Sequence, residues 1–177
     1  MGQAAPFKKG SETAERRPAT QAEARALSHP VRLRILRLCL DRASSNRELA
    51  ERLGMDPATV LHHVRTLVGT GFLAPEAERP GRRGSRERPY RATGKSWTLD
   101  VGGEATTVAA IDAFRQELLE AGTDSLLAST RLGVRLSPER LEEFAQRFLR
   151  LVHDLSDADE EGGEAIGVYI GIHRQSR

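Results

Sequence analysis

Residues 45–73, SNRELAERLGMDPATVLHHVRTLVGTGFL, decide how the chain folds. Ser45 followed three positions later by Glu48 is a capping box, in which a hydroxyl and a carboxylate satisfy two orphan amides at a helix start. The spacing predicts a short helix from about Asn46, with Leu49, Ala50 and Leu53 on one face. Gly54 ends it, because glycine takes the left-handed conformation without a Cβ clash. Asp56 and Pro57 open a second helix as N-cap and first helical residue, a position where the missing N–H of proline costs nothing. Val60, Leu61, Val64, Leu67 and Val68 give that helix an apolar stripe, and Thr59, His62, His63, Arg65 and Thr66 fall largely off it. Two short helices joined by a glycine-containing turn of three or four residues make a helix-turn-helix, whose second helix can enter the DNA major groove.

On the N-terminal side, residues 22–27 suggest a short helix that stops at Ser28-His29-Pro30, since the residue before a proline is pushed out of the α region. Pro30 then starts a core helix, VRLRILRLCL, whose arginines alone reach water. Cys39 reads as a small buried hydrophobe, of low reactivity in apolar surroundings. Residues 1–20 mix charged, small and proline residues with almost no large apolar side chains, which predicts a disordered tail.

On the C-terminal side, Gly71-Phe72-Leu73-Ala74 breaks into an extended segment, Pro80 to Ser85 is a turn-rich basic tip, and Arg88 to Thr93 alternates like a returning strand. A β-hairpin directly after the second helix is the wing of a winged-helix domain. Its arginines at 79, 82, 83, 86 and 88 can lie along phosphates or enter a minor groove. Trp97, in the link that follows, is expected to anchor the two halves of the chain. A long helix is predicted from Glu104 to Ala121, with Val108, Ile111, Phe114, Leu118 and Ala121 on one stripe. Such a face needs a partner, and the same helix of a second subunit is a natural one. The last third reads as strand, helix, strand. Leu132, Val134 and Leu136 alternate, Ser137 and Pro138 start a helix with Leu141, Phe144, Ala145, Phe148, Leu151, Val152 and Leu155 on its stripe, and residues 165–172 form a final strand after an acidic loop.

The expected fold is therefore α+β: a winged helix-turn-helix domain over residues 21–95, after a tail at 1–20, then residues 96–177 as a long dimerisation helix with a small α/β segment. Charge follows the same division. Residues 1–100 carry 19 Lys+Arg against 11 Asp+Glu, whereas residues 101–177 carry 8 against 14, so a total of +2 conceals a basic half and an acidic half. The basic half can approach a polyanion, because neutralising phosphates releases counterions. No apolar run approaches the roughly 20 residues that cross a bilayer. The N-terminus has no apolar signal region, and one cysteine excludes an internal disulfide framework and suits a reducing cytoplasm.

Residues 22–93 resemble the ArsR-type winged-helix repressors through ALSHPVRLRILRLCL, then RELAERLGMDPATVLHHVRTLVGTGFL, then the basic hairpin ending in RPYRAT. The resemblance implies a homodimeric DNA-binding transcriptional regulator, with Thr59, His62, His63 and Arg65 on the recognition helix. The family often has serine where this chain has Leu61. Its metal-sensing members carry a C-V-C run in the helix before the recognition helix, where this chain reads RELAERLG, without the thiolates that soft metals need. His62 and His63 stand about 100° apart around a helix and cannot chelate one ion as an i, i+4 pair can. The strand-helix-strand beyond the minimal fold is similar to the extra segment of some actinobacterial regulators.

The expected function is sequence-specific binding of double-stranded DNA by a cytoplasmic homodimer. Thr59, His62, His63 and Arg65 face base edges or flanking phosphates, Ser45 and Asn46 meet the backbone at a helix N-terminus, and Arg82, Arg83, Arg86 and Arg88 fix the register. No cofactor or membrane partner is called for, and a small-molecule effector in the C-terminal half is compatible with this function. The alternative is a winged-helix module that binds another protein, and the basic hairpin tip speaks against it, since an ordinary protein interface does not require one. An enzyme is the poorest fit, since no nucleophile elbow, phosphate loop, zinc-ligand spacing or dinucleotide fingerprint occurs.

Overall fold

The computed structural model describes residues 16–81, 85–158, 160 and 163–174. Short strand β1 (Arg17–Pro18) leads into helices α1 (Gln21–Leu27) and α2 (Pro30–Leu38), then strand β2 (Ser44–Ser45). Helices α3 (Asn46–Leu53) and α4 (Pro57–Gly69) follow as the helix-turn-helix. Their ends are set by the predicted caps. Ser45 and Glu48 close the capping box on α3, and Gly54 leaves that helix at φ 62° in the left-handed region. Asp56 Oδ1 accepts from the amides of Ala58 at 2.9 Å and Thr59 at 3.3 Å, a cap that contributes about 1 kcal/mol.

After α4 the chain forms β3 (Leu73–Pro75), β4 (Arg79–Pro80), β5 (Arg86–Glu87) and β6 (Pro89–Ala92). Strand β6 lies between β2 and β3, antiparallel to both, with Ser45 opposite Pro89 and Leu73 opposite Ala92. Farther out β4 pairs with β5, Arg79 opposite Glu87. A helix-turn-helix followed by this hairpin is a winged helix. Ile35, Cys39, Leu49, Val60, Val64, Leu67, Phe72 and Leu73 form its core, each contributing on the order of 1.5–3 kcal/mol by burial of a large side chain and less for Cys39. Burial pushes the Cys39 thiol up to about 11, so it is a packing group, as its neighbours in the sequence suggested.

The expected tail ends earlier than composition indicated. Strand β1 pairs in parallel with β7 (Leu99–Asp100), Arg17 opposite Leu99, and the Ala19 amide donates to the Asp100 carbonyl at 3.0 Å. The anchor is Glu23, buried in α1, which takes Arg17 Nη2 and Lys95 Nζ, each at 2.7 Å. Arg17, then Lys95, hold its carboxyl well below the usual range. A buried carboxylate with two cations ties down residues that hydrophobicity alone leaves loose. Residues 1–15, the rest of the expected tail, lie outside the described residues.

Helix α5 spans Glu104–Ala121 as expected, but packs against α2 through a different face. Ala109 and Ala113 are buried, whereas Val108 and Ile111 of the predicted stripe are 50% and 44% exposed. The ion pairs explain the rotation. Arg34, itself buried, donates to Gln116 Oε1 at 3.0 Å and pairs with Glu120, and Arg37 lies 3.6 Å from Glu117. Small alanines let two backbones approach and leave the larger side chains outside. Trp97, expected as an anchor between the halves, is 42% exposed.

Helix α6 (Pro138–Asp157) starts at its Ser137 cap as predicted. The strands expected at 130–136 and 165–172 are absent, and neither stretch joins a ladder. Leu132, Val134, Ile166 and Val168 alternate in sequence yet are exposed. Alternation marks a face that suits a sheet, and needs a partner edge to become one. Tyr169 rests its ring 5.8 Å from that of Phe114 on α5.

Candidate nucleic-acid interface

Helix α4 divides cleanly into two faces. Val60, Val64 and Leu67 are fully buried, while Thr59, His62 and Arg65 are exposed on the far side. At about 100° per residue these three follow one another along the helix, and Thr66 beside them donates its Oγ1 to the His62 carbonyl at 3.1 Å. An exposed hydroxyl, imidazole and guanidinium in a row can meet base edges and phosphates.

His63 does not join them. It is 7% exposed, with its ring 4.5 Å from that of His29 and 5.7 Å from that of His62. Burial first, then the cationic field of His29, Arg32 and His62, brings its imidazole down to about 4, and Nδ1 has no hydrogen-bond partner among the described residues. The structure places His63, expected to face DNA, on the core side, in keeping with a spacing present in the sequence: position 63 is i+3 from Val60 and i−4 from Leu67.

The N-terminus of α3 is also engaged within the fold. Ser45 is buried, accepting from the Glu48 amide at 3.3 Å and donating its Oγ to Glu87 Oε2 at 2.9 Å. Its pairing with β6 sets the hydroxyl beside Glu87. Asn46 donates Nδ2 to the Pro57 carbonyl at 2.9 Å, so it joins the starts of α3 and α4, and its Oδ1 is buried without a hydrogen-bond partner.

The wing carries the arginines expected of it, already engaged with carboxylates. Arg86 and Arg88, 74% and 56% exposed, lie 3.1 and 2.8 Å from the two oxygens of Glu78. Arg79 reaches Glu48 of α3 at 2.6 Å, and Arg91 pairs with Glu76. From α3, Arg47 reaches Glu51 at 3.0 Å and Glu87 at 3.7 Å. Sequence reasoning identified the arginines and missed these acids, although Glu48 was recognised as a cap. Nothing in the spacing of Glu78 and Glu87 indicates which arginine each will hold. Arg82 and Arg83, the basic tip, lie outside the described residues.

Elsewhere, an open hollow between the α1–α2 turn and the start of α5 is lined by Ser28, Pro30, Glu104, Val108 and Asp112. Among the described residues no group of three or more His, Cys, Asp or Glu is placed to hold a metal ion. No described helix is long and apolar enough to cross a membrane.

A family model described as a helix-turn-helix domain matches residues 27–76, which span α2 through the first wing strand. The chain thus carries a helix-turn-helix domain. No curated protein matches it. Among solved structures, the apo form of a Lactococcus lactis ZitR variant aligns with a TM-score of 0.33 and 20% identity, covering 71% of this chain and 81% of that one. The transcriptional regulator SlyA aligns with a TM-score of 0.30 and 17% identity, covering 72% and 75%. Both overlaps are too loose to add to the fold described above.

Proposed function

We propose that this chain is a sequence-specific, DNA-binding transcriptional regulator of the ArsR type that acts as a homodimer in the cytoplasm. The observation that carries the proposal is the exposed row Thr59, His62 and Arg65 on a helix whose opposite face is buried through Val60, His63, Val64 and Leu67. A helix so held presents its polar face to a major groove, and the wing arginines beside it meet the backbone.

Division of labour follows charge. Residues 21–95 read DNA, and residues 96–177, with their excess of acids, join two copies and would house any small-molecule effector. Helix α5 supports that role with Val108, Ile111 and Leu119 exposed. Helix α3 lacks the cysteines of a soft-metal sensor, which favours control of another kind.

Selection of bound duplexes from a random pool tests the proposal. A recurrent motif with two-fold symmetry and half-sites about one helical turn apart is expected. Failure to shift any duplex at low salt overturns it in favour of a protein-binding module.

A further inference from the structure

We infer that Glu78 is an intramolecular competitor for phosphate, occupying Arg86 and Arg88 of the wing until a DNA backbone displaces it. The inference rests on the DNA-binding function proposed above and concerns how that surface is held in check.

Arg86 and Arg88 flank Glu87, so strand alternation puts them on one face of the hairpin and Glu87 on the other. The glutamate face is turned toward α3, where Glu87 accepts from Ser45 Oγ at 2.9 Å and faces Arg47 at 3.7 Å. The arginine face is open to solvent, and there Glu78 gives one oxygen to each guanidinium, Oε2 to Arg86 Nε at 3.1 Å and Oε1 to Arg88 Nη2 at 2.8 Å. These bonds hold the Glu78 carboxyl below its usual range, so it is ionised under ordinary conditions.

Glu48 and Glu87 have structural duties, one capping α3 through the Ser45 amide at 2.7 Å and the other bonding the Ser45 hydroxyl. Glu78 joins two exposed hairpin arginines, and exposed ion pairs add little to stability. A carboxylate on a cationic hairpin instead lowers affinity for a polyanion, because each phosphate contact made must break a contact that already exists. Since phosphate contacts carry no sequence information, Glu78 limits binding to duplexes in general.

The test titrates wild type, Glu78→Gln and Glu164→Gln against a labelled random-sequence duplex over a range of KCl concentrations. Glu164→Gln removes one charge from the C-terminal half as a control. Glu78→Gln should bind about threefold to tenfold tighter near 0.1 M salt, with a salt dependence steeper by up to about one. Glu164→Gln should match wild type, and adding Arg86→Ala and Arg88→Ala to Glu78→Gln should erase the gain. Thermal melts should agree between wild type and Glu78→Gln, since the side chain supports no core contact. Equal or weaker binding by Glu78→Gln overturns the inference, as does equal tightening by Glu164→Gln. No binding by wild type to any duplex overturns the proposed function itself.

Discussion

His63 lies against His29 with ring centroids 4.5 Å apart and planes inclined at 50°, so α4 is joined to the N-terminal end of α2 by two imidazoles. Every charged group facing His63 is cationic or becomes so on protonation: His29, Arg32 and His62. Among the described residues, a protonated ring here therefore has no carboxylate to pair with.

That contact predicts a pH dependence. The folded-state pKa of His63, about 4, is below its ordinary 6.5, so between these values the unfolded chain binds more protons and stability falls as pH falls. The contribution is complete above about 6.5 and is lost progressively toward 4. Glu23, whose carboxyl is depressed, adds its own loss only below its ordinary 4.5, which leaves the interval above that to histidine. Thermal melts at pH 7, 6 and 5 should show a declining Tm in wild type and a flatter course in His63→Leu. Parallel curves for the two proteins would contradict the assignment.

Base reading is expected from the exposed row alone. Arg65→Ala should cost about 1–3 kcal/mol at the preferred site and relax selectivity there. Thr59→Ala and His62→Ala should also change the selected sequence. His63→Leu should leave it as in wild type, because the ring it replaces is buried. Duplex selection with each variant measures the difference, and a changed motif for His63→Leu would return that residue to the interface.

Ser45→Ala should act on folding. It removes the cap of α3 and leaves Glu87 without a hydroxyl donor, a loss of about 1–2 kcal/mol. Urea denaturation should show a lower midpoint with an unchanged slope. If stability holds and DNA affinity alone falls, the serine is meeting phosphate after all.

Ile111→Glu and Leu119→Glu, at positions 44% and 59% exposed, should leave the single chain folded and weaken the proposed dimer. Sedimentation velocity should show a monomer for the variants at concentrations where wild type is dimeric. An unchanged dimer would move the subunit contact away from this face of α5, with α6 the next surface to vary.

The local signals were legible because each depends on residues close together in the chain. The Ser45–Glu48 box, Gly54, the Asp56-Pro57 start, the extent of α5 and the Ser137 cap of α6 all appear where spacing predicted them. Three arrangements escape local spacing because distant residues decide them. The hydroxyl of Ser45 is claimed by Glu87, 42 positions away; α5 is turned by Arg34, 86 positions from Glu120; and residues 130–136 and 165–172 find no edge to pair with.

By itself, the sequence determined a helix-turn-helix with a wing and the stripe that buries α4, because caps and helical periodicity are properties of a few consecutive side chains. Tertiary structure alone decided which polar residues stay free to meet a ligand. Whether a hydroxyl or guanidinium is available depends on the partner that reaches it first, and here those partners are Glu87 for Ser45 and Glu78 for Arg86 and Arg88. Each comes from another element of the fold or from across the hairpin.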